Sequence, residues 1–172
     1  MYVCMYLYIC VLEQFTQPSH NIQQLMHTGT WYYEGKGGLT VDKVKSFQLH
    51  QGAAMAGHPL ATFNVGVAYL FGEGVTKNID QAIRHLEIAA KANVEHAVMN
   101  LSKIYLEGTL VPRDLHKALH ILNTSALLPA GVEDVVAMKE YVEELIRNEE
   151  KTAGGLFSGI NTSDHVDVTP VK

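Results

Sequence analysis

The chain has little cysteine and no surplus of basic residues. Its two cysteines, Cys4 and Cys10, lie within the first ten of 172 residues, so the rest of the chain cannot hold a disulfide or a thiolate metal site. Thirteen Lys and Arg stand against 18 Asp and Glu, and acids and bases balance over residues 1–130. A nucleic-acid-binding domain would show a basic surplus. We therefore expect no nucleic-acid partner.

Long hydrophobic runs are also scarce. The apolar run at residues 1–12 is shorter than the ~20 residues that a membrane-spanning helix needs, and it lacks the basic region and cleavage site of a secretory signal. An imperfect ATGT tetranucleotide repeat in the coding DNA would encode the same peptide. We therefore interpret residues 1–19 as a doubtful or unstructured segment and expect no membrane span. The cytoplasm is favoured, with the mitochondrion and endoplasmic reticulum as alternatives if the true N-terminus is missing.

What the chain does contain is an internal repeat of about 36 residues. Glycines and a tyrosine recur in one spacing, and an alanine pair recurs in the second half of the unit. The matching positions are Gly29, Tyr32, Gly35 and Gly37, then Gly66, Tyr69, Gly72 and Gly74, then Ser102, Tyr105 and Gly108, with Ala53 and Ala54 matching Ala89 and Ala90. A fixed period of this length is typical of stacked repeats. It divides the chain into units at about residues 20–57, 58–93 and 94–130.

Each unit is predicted to form two helices. In the middle unit, apolar residues at three- and four-residue intervals predict a first helix over residues 60–71 and a second over residues 78–91. Asn78 is predicted to cap the second helix, as Asp42 and Asp114 do at the matching positions. A glycine in the middle of the first helix, Gly66, predicts a close approach of the second.

The residues after the repeats divide into two parts. Residues 131–151 have an amphipathic pattern, with Val142 and Leu145 on one face and Glu144 on the other, and predict a capping helix. Residues 152–172 are rich in Gly, Thr and Asp without periodicity, so we expect a disordered tail. The fold class predicted for the whole is all-α, an α-α superhelix of about three helix pairs plus the capping helix.

The spacing of the glycines and tyrosine, followed by a helix cap and an alanine pair, resembles the SEL-one-like repeat (SLR) family, a relative of the tetratricopeptide repeat. The resemblance covers about residues 20–130 and implies a tetratricopeptide-like α-solenoid. The outer units depart most from the pattern, as expected of the ends of a stack. The departures are Gly37-Gly38, Ser46, Ser102 and Leu110.

The resemblance also implies a binding surface. In tetratricopeptide-like stacks the first helix of each pair lines a concave groove, and the residue two positions before the helix glycine faces a bound peptide. That position is His27 in the first unit, Asn64 in the second and Asn100 in the third. The side-chain amide of an asparagine can bind both the N–H and the C=O of an extended chain. The other predicted groove residues are Met26, Thr30, Tyr33, Phe63, Val67, Phe71, Met99 and Lys103. The alternative is that the asparagines bond to a neighbouring turn and the apolar members belong to the core.

No catalytic residue, metal site or cofactor is predicted. The glycines of residues 35–38 follow no strand and recur at residues 72–74, which indicates a turn rather than a phosphate-binding loop. His116 and His120 have the spacing of two zinc ligands, but no third ligand is evident, and the matching Asp80 and Arg84 indicate a solvated helix face. No G-x-S-x-G, Walker or H-E-x-x-H motif occurs.

The favoured hypothesis is a non-enzymatic adaptor, a monomer that binds an extended peptide or helix of another protein in the groove. Replacing Asn64 and Asn100 by Ala is then expected to weaken partner binding and leave folding nearly unchanged. One alternative is a fragment of a longer SLR protein, such as an adaptor in endoplasmic-reticulum-associated degradation. Another is a β-lactamase-like hydrolase, against which the lack of an S-x-x-K motif counts.

Overall fold

Residues 18–124 and 133–157 are described by the computed structural model of the chain, and in that part it forms seven helices and no strand. The helices are α1 (Pro18–Glu34), α2 (Lys43–Met55), α3 (Pro59–Phe71), α4 (Ile79–Lys91), α5 (Glu95–Glu107), α6 (Leu115–Thr124) and α7 (Glu133–Phe157). Each helix packs chiefly against its neighbours in sequence, and α5 also contacts α7. Contacts between sequential neighbours define a solenoid, so the predicted all-α superhelix is confirmed. None of the described helices is long and apolar enough to cross a membrane.

The turn within each helix pair has the same construction in all three repeats. A glycine in the left-handed backbone region follows the first helix, and the residue that caps the second helix donates its backbone N–H to a tyrosine carbonyl at 2.9 Å. The capping side chain accepts the backbone N–H three positions on. The glycines are Gly35, Gly72 and Gly108, the caps Asp42, Asn78 and Asp114, and the tyrosines Tyr32, Tyr69 and Tyr105. The predicted helix caps are therefore confirmed, and residues 35–38 belong to an interhelical turn.

Close contact between helices depends on glycine at two kinds of position. A Cβ atom at Gly66 of α3 would lie 3.1 Å from Leu86 Cγ and 3.3 Å from the Ala82 carbonyl oxygen of α4, so the predicted close approach is confirmed. In the turn after α3, a Cβ at Gly74 would overlap the carbonyl of Lys43 in the preceding repeat. The matching residue in the third repeat is Leu110, which is 39% exposed.

The core follows the stack as two clusters. The smaller cluster joins Met26 of α1 to Ala53 of α2 and Ala61 of α3, and the larger extends from α3 to α7, where Val135 and Val142 contribute. Small residues allow the helices to cross closely. The alanines with no exposed surface are Ala53, Ala61, Ala82, Ala89, Ala97 and Ala118.

The C-terminal helix differs from the sequence-based expectation at its end. It packs on α6 and α5, as a capping helix would, but it extends to Phe157, six residues past the predicted boundary at 151. Residues 152–157, expected in the disordered tail, are therefore helical. The predictions for residues 1–17 and 158–172 lie outside the described residues.

Gly66 and Gly52 provide a matched test of helix packing. Both are helical glycines, but a Cβ at Gly52 would meet only Leu25 Cδ1, at an ordinary 3.8 Å. We expect Gly52→Ala to raise the free energy of unfolding by about 0.5–1 kcal/mol, since alanine favours helix. Gly66→Val should lower it by about 1–3 kcal/mol, because the added methyl groups overpack against Leu86. Chemical denaturation measures both, and a Gly66→Val protein as stable as the wild type would contradict the close approach.

Candidate functional site

A solvent-open cavity of about 270 Å³ lies between the first two repeats. Residues from three helices and one turn line it. They are Thr30, Tyr33 and Glu34 of α1, Lys43, Ser46, Phe47 and His50 of α2, Asn64, Val67 and Ala68 of α3, and Glu73 of the turn after α3. Sites of drug-sized ligands usually enclose about 300–1,000 Å³. The cavity is therefore suited to one or two side chains rather than to a large cofactor.

Four of the predicted groove residues line this cavity, namely Thr30, Tyr33, Asn64 and Val67. The others do not. Met26 is 7% exposed and belongs to the core, so its assignment to an open groove is corrected. Phe63 and Met99 are partly buried against the larger core cluster. The centres of the Phe63 and His96 rings are 5.9 Å apart. His27, Phe71 and Lys103 are exposed elsewhere, and Asn100 is half-buried.

A buried histidine lies at the base of the cavity. His50 is 6% exposed, and its ring occupies the space left by Gly29 of α1, where a Cβ would lie 2.7 Å from Nε2. Nε2 is 3.3 Å from the Asn64 amide nitrogen, and Nδ1 is 3.4 Å from Ser46 Oγ. Burial lowers the pKa of His50, opposed in part by a hydrogen bond to the Met26 backbone. The imidazole is therefore neutral near pH 7, and its Nε2 lies within hydrogen-bonding distance of the Asn64 amide.

The rim of the cavity is a charged contact between the two repeats. The Glu73 carboxylate accepts a hydrogen bond from the Tyr33 hydroxyl at 2.8 Å and pairs with the Lys43 ammonium. Lys43 Nζ also lies 5.3 Å from the centre of the Tyr33 ring. The hydrogen bond from Lys43 lowers the pKa of Glu73, and the same carboxylate raises the pKa values of Tyr33 and Lys43. Glu73 therefore stays ionised and attaches the second repeat to the first.

Sequence reasoning missed the cavity residues of α2, together with Glu34 and Glu73. It assigned the groove to first helices only, whereas α2 contributes Lys43, Ser46, Phe47 and His50. A usable signal was present, because the second repeat has Ala82 and Leu86 where the first has Ser46 and His50. Polar residues at positions that are apolar in the other repeats indicate a local departure from the packing pattern.

Comparison with known proteins now identifies the family. The family model of the Sel1 repeat matches residues 26–58, 59–94 and 96–128. The chain belongs to the Sel1 repeat family. The SLR resemblance inferred from the glycine, tyrosine and alanine spacing is thereby confirmed.

Curated relatives include two proteins of Schizosaccharomyces pombe (strain 972). Chitin synthase regulatory factor 3 is 32% identical over 122 residues, which is 70% of this chain and 13% of that protein. Chitin synthase regulatory factor 2 is 30% identical over 115 residues, which is 62% of this chain and 22% of that protein. The chain thus spans less than a quarter of the length of either relative.

Solved structures of similar fold include a Sel1 repeat protein from Oxalobacter formigenes, with a TM-score of 0.63 and 24% identity over 75% of this chain and 52% of that one. A second is a protective antigen of uropathogenic Escherichia coli strains displaying an SLR fold, with a TM-score of 0.53 and 18% identity over 89% of this chain and 44% of that one. At these identities the structures show the fold alone.

The contact between Asn64 and His50 changes the expectation that replacing Asn64 leaves folding nearly unchanged. We expect Asn64→Ala to lower the free energy of unfolding by about 1–3 kcal/mol, because the buried ring of His50 loses one of its hydrogen-bond partners. Asn100→Ala is the matched control, since Asn100 holds the same repeat position but Leu86 stands in place of His50. Urea denaturation of the two variants measures the difference. Equal losses would contradict a specific role for the His50 contact.

The lowered pKa of His50 makes stability depend on pH. The unfolded chain protonates this ring near the ordinary pKa of 6.5 and the folded chain at lower pH, so the unfolded state binds more protons between the two values. We expect the free energy of unfolding to fall as pH drops from about 7.5 to about 5.5, and to fall less in His50→Leu. His85, whose pKa burial also lowers, remains in both proteins. Urea denaturation across this range gives the two slopes, and identical slopes would exclude His50 as the titrating group.

Proposed function

We propose that the chain is a non-enzymatic protein-interaction module that holds a partner segment against the surface of α1, α2 and α3. The observation that carries the proposal is the open cavity between the first two repeats, lined by Thr30, Tyr33, Asn64 and Val67 of the two first helices. Apolar surface beside a few convergent polar groups is typical of recognition sites. A segment laid across the cavity would contact both repeats at once.

The comparisons support a regulatory rather than a catalytic role. Both curated relatives are named as regulatory factors of a chitin synthase, and the matched region is made of Sel1 repeats. A chitin synthase polypeptide is therefore the first candidate partner to test. The partner is taken to be another protein, bound through backbone and side-chain contacts along the groove.

The cavity also contains groups that a hydrolase would use, and their arrangement favours binding over catalysis. Ser46 lies next to His50, which in turn lies next to Asn64. Ser46 is 2% exposed, and its Oγ is 3.4 Å from the ring nitrogen, beyond the about 2.6–3.2 Å expected of an activated nucleophile. A hydroxyl in this position contributes to packing rather than to attack on a substrate.

The decisive variant is Val67→Lys. Val67 lines the cavity, and the third repeat has Lys103 at the same position, so the repeat fold accepts lysine there. We expect Val67→Lys to weaken partner binding at least about tenfold, because the longer side chain fills the cavity. A photo-cross-linking residue at position 67 captures the partner, mass spectrometry identifies it, and titration calorimetry with the purified partner measures affinity.

The control for that titration is Arg84→Ala, which changes an exposed side chain of α4. We expect its affinity to equal that of the wild type. Equal weakening by Arg84→Ala and Val67→Lys, or full affinity in Val67→Lys, would contradict binding at the cavity.

A further inference from the structure

Two histidines lie at the junction between the first and second repeats, and neither has a histidine counterpart at the next junction. Counting by the repeat period, His50 corresponds to Leu86 and His58 to Val94. Leu86 has no exposed surface, and Val94 precedes α5 without a side-chain hydrogen bond to it. The same two positions therefore hold imidazoles at the first junction and side chains that cannot be protonated at the second.

The first of these histidines is enclosed by three helices. The ring of His50 fills the space left by Gly29 of α1, and it lies within hydrogen-bonding distance of Ser46 on α2 and Asn64 on α3. Burial lowers the pKa of His50, and the charge of nearby His58 also lowers it. A charged imidazole in this position costs free energy. A proton therefore binds His50 more readily when the junction is open and the ring is in water.

The second histidine caps α3 through an acceptor that an imidazolium does not have. His58 is half-buried, and its Nδ1 accepts the backbone N–H of Ala61 at 3.3 Å. Both ring nitrogens of a protonated histidine are donors, so protonation of His58 removes this cap. Loss of a side-chain cap destabilises a helix end, and this end of α3 is where the first repeat joins the second.

The charged groups that face His50 across the cavity are already paired. The hydrogen bond from Lys43 lowers the pKa of Glu73, and the carboxylate of Glu73 raises the pKa values of Lys43 and Tyr33. Lys43 and Glu73 therefore stay charged, and Tyr33 stays neutral, in mild acid. Glu34 of α1 pairs with Lys36. None of the carboxylates that line the cavity in the described part of the chain is thus free to neutralise a proton on His50.

The apolar contact across the first junction is limited. Its buried members are Met26 of α1, Ala53 of α2 and Ala61 of α3, and the rings of Phe47 and Tyr69 meet edge to face with their centres 5.4 Å apart. The larger core cluster, in contrast, extends from α3 to α7. Regions with few buried apolar contacts open at a lower free energy than the rest of a structure. The first junction is therefore the weaker of the two.

We infer that mild acid opens the first junction by protonating His50 and His58, while the second junction stays closed. The two histidines make an acid-sensitive hinge between the first repeat and the rest of the stack. A single helix pair cannot bury its apolar face alone, so α1 and α2 lose structure once they separate. A partner segment that contacts both repeats would then lose half of its site. That consequence rests on the proposed function, whereas the opening itself does not.

Hydrogen–deuterium exchange of the full chain tests the opening. It is read by mass spectrometry at pH 7.5 and pH 5.5 and corrected for the intrinsic exchange rate at each pH. The lower pH is about one unit below the ordinary histidine pKa of 6.5, so each histidine that the closed state keeps neutral should raise the opening equilibrium about tenfold. We expect this rise in peptides from α1 and α2, and a change of less than about twofold in peptides from α5 and α6.

Variants that do not titrate locate the effect. His50→Leu introduces the residue of the second repeat, and His58→Ser retains a capping oxygen at every pH. The double variant should lose the acid response of α1 and α2. His120→Gln is the matched control, because it removes an exposed histidine of α6, and it should keep the full response. Urea denaturation at pH 7.5 confirms that each variant is folded, and His58→Ser alone should reduce the response if the double variant does not fold.

Three results would overturn the inference. They are unchanged exchange of α1 and α2 at pH 5.5, an equal rise in all helices, which indicates global unfolding, and a rise in α1 and α2 that persists in the double variant. The third result would assign the response to another group, such as His85, which stacks on Tyr69 and whose pKa burial also lowers. Because exchange is measured without a partner, failure of the hinge and failure of the proposed function are separate outcomes.

Discussion

The stack depends on each first helix passing the second helix of its pair so closely that only glycine or serine stands at the point of contact. Gly66 meets Leu86 and the backbone of Ala82 at this point, and Gly29 meets the ring of His50. In the third repeat the position is Ser102, which has no exposed surface. Small residues here let the remaining apolar positions interdigitate along the two helices.

Much of the fold could be predicted because its rules are local and occur three times. A cap such as Asn78 and a left-handed glycine such as Gly72 act within a few residues, so their spacing predicts helix ends directly. Repetition then distinguishes a structural glycine from an accidental one. The end of α7 had no such support, since it lies outside the repeats. The helix therefore continues to Phe157, past the boundary that composition indicated.

The cavity could be predicted only in part, because its geometry depends on contacts between helices. The family resemblance placed Asn64 and Val67 on the face of α3 that lines the cavity, since that face is set by helix periodicity. It could not show that α2 forms the base of the cavity, or that Asn64 is already bonded to His50 fourteen residues earlier. The assignment of Met26 to the groove was wrong for a related reason. Its side chain packs with Ala53 and Ala61, and neither contact is visible in the pattern of α1 alone.

The close contact between Gly74 and the Lys43 carbonyl affects how successive repeats pack in the superhelix. Leu110 has a side chain at the matching position, so we expect the third repeat's turn to lie farther from Ile79 than the second repeat's turn lies from Lys43. The geometry of the two junctions is then expected to differ. A rigid helical partner matched to one junction would be out of register at the next. An extended chain adjusts its torsion angles residue by residue and can follow both.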